Sequence, residues 1–175
     1  MTLTLLLLIL GVIAWMMAGK KGNRYQMKWI HSLKKYSWFA NPWLAGLFLF
    51  GINLFLFGTT GLILIVLSYL MIPYFHLVIM MLAVIVSILV WKSIASAASW
   101  KKGERVKVAV TGSSFYLGMA VFFYYQIVSY VPQFPGDDTF MATLGFMVGI
   151  LVTAVAFLTC LSLILFTKDP FSREA

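Results

Sequence analysis

The apolar positions of this chain fall in long runs, separated by short stretches rich in basic residues, glycine or proline. A helix needs about 20 mostly apolar residues to cross roughly 30 Å of hydrocarbon. Five runs read as crossings on that basis. Residues 2–18 contain no charge and end at Gly19, Lys20 and Lys21. Positive charge follows the run instead of preceding it, so the segment reads as a retained anchor rather than a cleaved signal peptide. Residues 43–57 follow Asn41-Pro42, and proline suits the first turn of a helix, where its missing N–H has no partner to lose. Gly58-Thr59-Thr60-Gly61 then reads as a tight turn.

The next run, 62–91, is longer than one upright crossing requires, and it contains Pro73, which removes a helical hydrogen bond. The favoured reading is a single tilted span kinked at Pro73; the alternative makes 62–72 a short surface or re-entrant helix. Residues 106–131 form the fourth crossing, closed by Pro132 and the loop Gln133-Phe134-Pro135-Gly136-Asp137-Asp138. The fifth, 140–166, ends at Thr167-Lys168-Asp169-Pro170. The expected fold is an all-α integral membrane bundle of five transmembrane helices, one membrane domain over 1–175 with no separate soluble domain.

Charge orients the bundle. All 13 Lys and Arg residues fall in three places: 20–35, 92–107 and the tail after 166. An odd count of five spans puts all three on one face, which the positive-inside rule assigns to the cytoplasm. The N-terminus is then outside and the C-terminus cytoplasmic. Within the first basic stretch, Lys21, Arg24, Lys28, His31 and Lys35 recur at spacings of three and four, so they share a helical face. Residues 20–36 are therefore expected to form an interfacial helix, with Lys21, Arg24, Lys28 and Lys35 on anionic lipid headgroups. An ordinary orienting loop would carry the same charges.

Composition agrees and narrows the chemistry. With 62% hydrophobic and 10% charged residues, the chain has too little polar surface for a soluble domain. Five acidic residues, two histidines and one cysteine leave little material for metal clusters, disulfides or catalytic sets. Apart from Lys107 at the very start of the fourth, the expected spans hold no Asp, Glu, Lys or Arg, and His76 is the conventional titratable candidate at depth, which disfavours a coupled carrier. A serine dyad of Ser114 with His76 fails on depth, since Ser114 lies within two turns of the cytoplasmic end and His76 at least midway toward the outside, about 10 Å away in depth, and His31 with His76 offers no axial pair for a haem. No catalytic residue, metal ligand or cofactor is expected, and the basic loops need no nucleic acid to explain them.

Two constellations remain. Ala142, Gly145, Gly149, Thr153, Ala156 and Cys160 follow one another at spacings of three and four in the fifth span, and Gly145 with Gly149 make a GxxxG pair. Small residues let helices approach closely, so this seam is expected to pack within the bundle or between subunits. Asn53, His76, Gln126 and Tyr130, from three spans, all fall in the outer half under this topology. They are expected to form an outer polar cluster, either as interhelical hydrogen-bond partners or as a site. The function this implies is a non-enzymatic subunit, assembly factor or modulator of a larger membrane complex, acting through another membrane protein or self-association. The rival is a small homo-oligomeric channel or carrier for a neutral or anionic solute. The plasma membrane, bacterial in so compact a chain, is the expected location.

Overall fold

The computed structural model describes residues 37–70, 75–97, 100–132, 134 and 138–167. The expected first span at 2–18, the interfacial helix at 20–36 and the kink at Pro73 lie outside the described residues. Among the described residues five helices follow one another: α1 (Ser37–Ala40), α2 (Pro42–Leu70), α3 (Phe75–Ala97), α4 (Lys102–Val128) and α5 (Thr139–Phe166). The last four are each long and apolar enough to cross a membrane, and the class they define is a helical membrane protein.

Each helix end has a local cause. Asn41 caps α2: its side-chain Oδ1 accepts the Trp43 N–H at 3.1 Å and its carbonyl accepts the Ala45 N–H at 3.0 Å. Pro42 occupies the first helical position, as the sequence suggested. At α4 the Glu104 carboxylate accepts the Lys101 N–H at 2.9 Å, while the Lys101 carbonyl accepts from Glu104 and Arg105. An acidic side chain there also complements the positive end of the helix. Asp138 accepts the Phe140 N–H at 3.0 Å and starts α5.

Two boundaries differ from expectation. Gly58-Thr59-Thr60-Gly61 is not a turn; α2 runs through it without interruption. A break inside an apolar run would strand backbone N–H and C=O groups where no water can bond them. That penalty exceeds the roughly 1 kcal/mol by which a glycine disfavours a helix. The Thr60 hydroxyl is satisfied within the helix, donating to the Leu56 carbonyl at 2.7 Å. The separation between the second and third spans falls instead between Leu70 and Phe75. α4 likewise starts at Lys102, not at 106, so Glu104 and Arg105 are helical.

Packing is one-sided. Every buried residue lies within 39–53, 88–116 or 153–164; among the described residues, none in 54–87 or 117–152 is buried. The core therefore gathers at the end that carries Lys101, Lys102, Arg105 and Lys107, here the basic end. α4 makes its most extensive contacts with α5 and its next with α2, while α3 packs more lightly on α2 and α5. α2 and α4 cross closely because both present glycines. A Cβ on Gly46 would stand 2.7 Å from the Thr111 Cβ, and one on Gly112 would overlap the Leu49 side chain. Phe39 of α1 seals the basic end, its ring 5.4 Å from that of Trp100 and 6.3 Å from that of Phe48.

Candidate functional site

The close α2–α4 crossing brings one polar side chain into the core. Asn53 of α2 is fully buried, and its Nδ2 donates to the Gly112 carbonyl of α4 at 3.0 Å. Its Oδ1 accepts from the Trp91 indole N–H of α3 at 2.8 Å and from the Tyr116 hydroxyl of α4 at 3.4 Å. Cys160 of α5 is also fully buried. One asparagine thus ties α2 to both α3 and α4. Aromatic rings wall the hub: Trp91 meets Tyr116 edge to face at 5.9 Å, and Phe115 lies 5.2 Å from Tyr116.

The chemistry of this hub is cohesive. An amide neither gains nor loses a proton near neutral pH, and both acceptor positions of its oxygen are taken by the indole and the phenol. Among the described residues, no three His, Cys, Asp or Glu side chains gather to hold a metal ion.

A second polar device ties the basic end. Arg105 is buried in the first turn of α4. Its Nε donates to the Trp100 carbonyl at 3.3 Å and its guanidinium Nη1 to the Thr167 carbonyl, just past the end of α5. A cation on the terminal carbonyls of a helix is favourably placed against the negative end of its dipole. Lys107 Nζ stands 5.8 Å from the centre of the Trp43 ring, a cation–π contact between α4 and α2.

The structure sets Asn53 apart from the other three residues of the expected outer cluster. Asn53 sits toward the basic end. His76 is exposed at the start of α3, about 15 residues or ~22 Å of helix rise from Trp91. Gln126 is half-buried about 10 residues, or ~15 Å, beyond Tyr116 along α4. Tyr130 is half-buried past the end of α4. The partners that Asn53 does have, Trp91, Tyr116 and Gly112, were not singled out from the sequence. The sequence signal for them is depth, which a turn at 58–61 would obscure.

The small-residue seam divides. Thr153 and Cys160 are buried, and Ala156 packs against the core. Gly149 faces α4, where an added Cβ would lie 2.9 Å from the Phe123 ring. Gly145 is exposed, with no atom within 4 Å of an added Cβ. Ala142 belongs to α5, but its side chain lies outside the described set, as do Lys21, Arg24, Lys28 and Lys35. No known protein family, characterised protein or solved structure matches the chain.

Proposed function

We propose that this protein is a non-enzymatic membrane subunit or assembly factor, which works by packing against another membrane protein. The observation that carries this reading is the one-sided core. Asn53, Arg105 and the glycine crossing fix the helices at the basic end, while the far half of α3 is left uncovered. That half exposes Phe75, Val78, Met80, Met81, Leu82 and Val86. Methionine adapts its shape to a partner, and adjacent methionines suit a surface that must fit another helix. Asn53, Trp91 and Tyr116 are engaged with each other inside the bundle, which favours cohesion over passage of a solute. Purification from native membranes in mild detergent tests the reading. A stoichiometric partner membrane protein, lost when Met80 and Met81 are both changed to Lys, supports it. A symmetric homo-oligomer with no partner would favour the channel or carrier instead.

A further inference from the structure

The α2–α4 crossing has an outer side as well as a core side. Gly46 faces Thr111 where the helices meet, and a turn of about 100° per residue sorts the side chains that flank them. On α2, Trp43, Phe50 and Leu54 fall about 40–80° to one side of Gly46, whereas Ala45, Leu49 and Asn53 fall to the other, toward the core. On α4, Lys107, Ser114 and Gly118 fall about 20–60° to one side of Thr111, and Val108, Gly112 and Phe115 fall to the other. Lys107 Nζ stands 5.8 Å from the centre of the Trp43 ring, so the two outer flanks face each other.

A groove runs between those flanks, floored by Phe50 and Phe115, whose rings meet edge to face at 5.5 Å. Trp43, Leu47 and Leu54 wall it on α2, each more than half exposed. Ser114 and Gly118 line it on α4; both are exposed, and an added Cβ at Gly118 would meet nothing within 4 Å. Both helices leave the basic end in the same direction. The stretches from Trp43 to Leu54 and from Lys107 to Gly118 therefore run side by side, each for ~16 Å of helix rise. Half of a roughly 30 Å hydrocarbon core is one leaflet deep, which is about the same length.

The groove is cationic at one end and apolar beyond it, the polarity of a phospholipid. Glu104, the acidic residue in the first turn of α4, is committed to the Lys101 N–H at 2.9 Å, and Lys101 and Lys102 add positive charge at the same end. A choline headgroup would bring its own ammonium beside these lysines, whereas an anionic headgroup brings only phosphate.

We propose that this groove binds one anionic phospholipid of the leaflet at the basic end. The phosphate sits on Lys107 Nζ at the rim of Trp43, and an acyl chain lies along Leu47, Leu54 and Gly118. Lysine offers three donors on a compact charge, and tryptophan suits the headgroup level, where its ring is apolar and its N–H edge is wet. The site is built on α2 and α4, apart from the Met80–Met81 surface of α3, and stands whether or not a partner protein binds there.

Native mass spectrometry of the full chain in mild detergent tests it, by titration with dioleoylphosphatidylglycerol or dioleoylphosphatidylcholine. One phosphatidylglycerol should be retained per chain, about fivefold more tightly than phosphatidylcholine, the factor that one lysine near an anionic lipid supplies. Lys107→Gln should erase that preference. Lys102→Gln removes the same charge from the same end, but about 140° round the helix from Lys107, and should leave binding within about twofold of the parent. Gly118→Leu keeps every charge and fills the groove, so it should weaken phosphatidylglycerol about tenfold by displacing methylenes of the chain. Equal retention of the two lipids, equal losses for Lys107→Gln and Lys102→Gln, or full binding by Gly118→Leu would each overturn the proposal. Displacement of the lipid by inorganic phosphate would do so as well, since the site would then be one for a free anion.

Discussion

Asn53 sits where no water reaches, and each hydrogen bond it makes satisfies a group that would otherwise be stranded. Its amide accepts from Trp91 and Tyr116 and donates to Gly112. Asn53→Leu keeps the volume roughly constant and removes all three. Interhelical hydrogen bonds in membranes are worth about 0.6 kcal/mol on average and up to ~2, so the variant should lose on the order of 1–2 kcal/mol in a reversible detergent unfolding titration. In a double-mutant cycle with Trp91→Phe the losses should be less than additive, because the second change removes a donor that the first has already orphaned. Additive losses would mean that the two side chains are not coupled. Glycines sort in the same way. Gly112→Ala forces a methyl into Leu49 and should cost about 1–3 kcal/mol, while Gly145→Ala, which meets nothing, should stay within about 0.5 kcal/mol of the parent.

At the scale of elements, apolar run length shows that helices cross, but not where one stops. Gly58-Thr59-Thr60-Gly61 carries strong turn chemistry for a protein in water. In a long apolar run the backbone has no water to turn to, and the helix continues. That single boundary moved Asn53 from the basic half to the far half, which hid Trp91 and Tyr116 as its partners. The seam on α5 was legible at Gly149, Thr153, Ala156 and Cys160 because small residues at that spacing need a neighbour. Gly145 belongs to the same pattern yet faces outward, since periodicity does not say how far up the helix its neighbour reaches. Arg105 was read as loop charge and instead links the start of α4 to the end of α5. Arg105→Gln keeps some donors but removes the charge from the α5 terminus. It should cost about 1–2 kcal/mol. The loss should show as faster amide exchange at the last turn of α5, with α2 unaffected; uniform exchange throughout would contradict a local tether.

For the whole molecule, charge and packing converge on the same end. Lys101, Lys102, Arg105 and Lys107 stand where the four long helices bury their side chains, and Asp138 stands at the other, loosely packed end. In water such an arrangement would expose large apolar surfaces on α2 and α3. Within a bilayer those surfaces would meet lipid or other helices, and the positive-inside rule would put the basic end in the cytoplasm. A cysteine replacing Lys102 is expected to react with a membrane-impermeant maleimide only from the cytoplasmic side, and one replacing Gly136 only from outside. The pair fixes the polarity of α4, which lies between them, and each is the control for the other. Reversal of both would turn the bundle over without changing its packing. Reaction of both from one side would mean that α4 does not cross, and the burial of Arg105 and Asn53 would then have to be explained without a membrane. Moving the charges provides the sharper form of the test. If basic charge orients the bundle, replacing Lys101, Lys102 and Lys107 with Gln should weaken the sidedness of labelling while the Asn53 hub still holds the helices together. Labelling that stays fully one-sided would assign orientation to the basic residues at 20–35 alone.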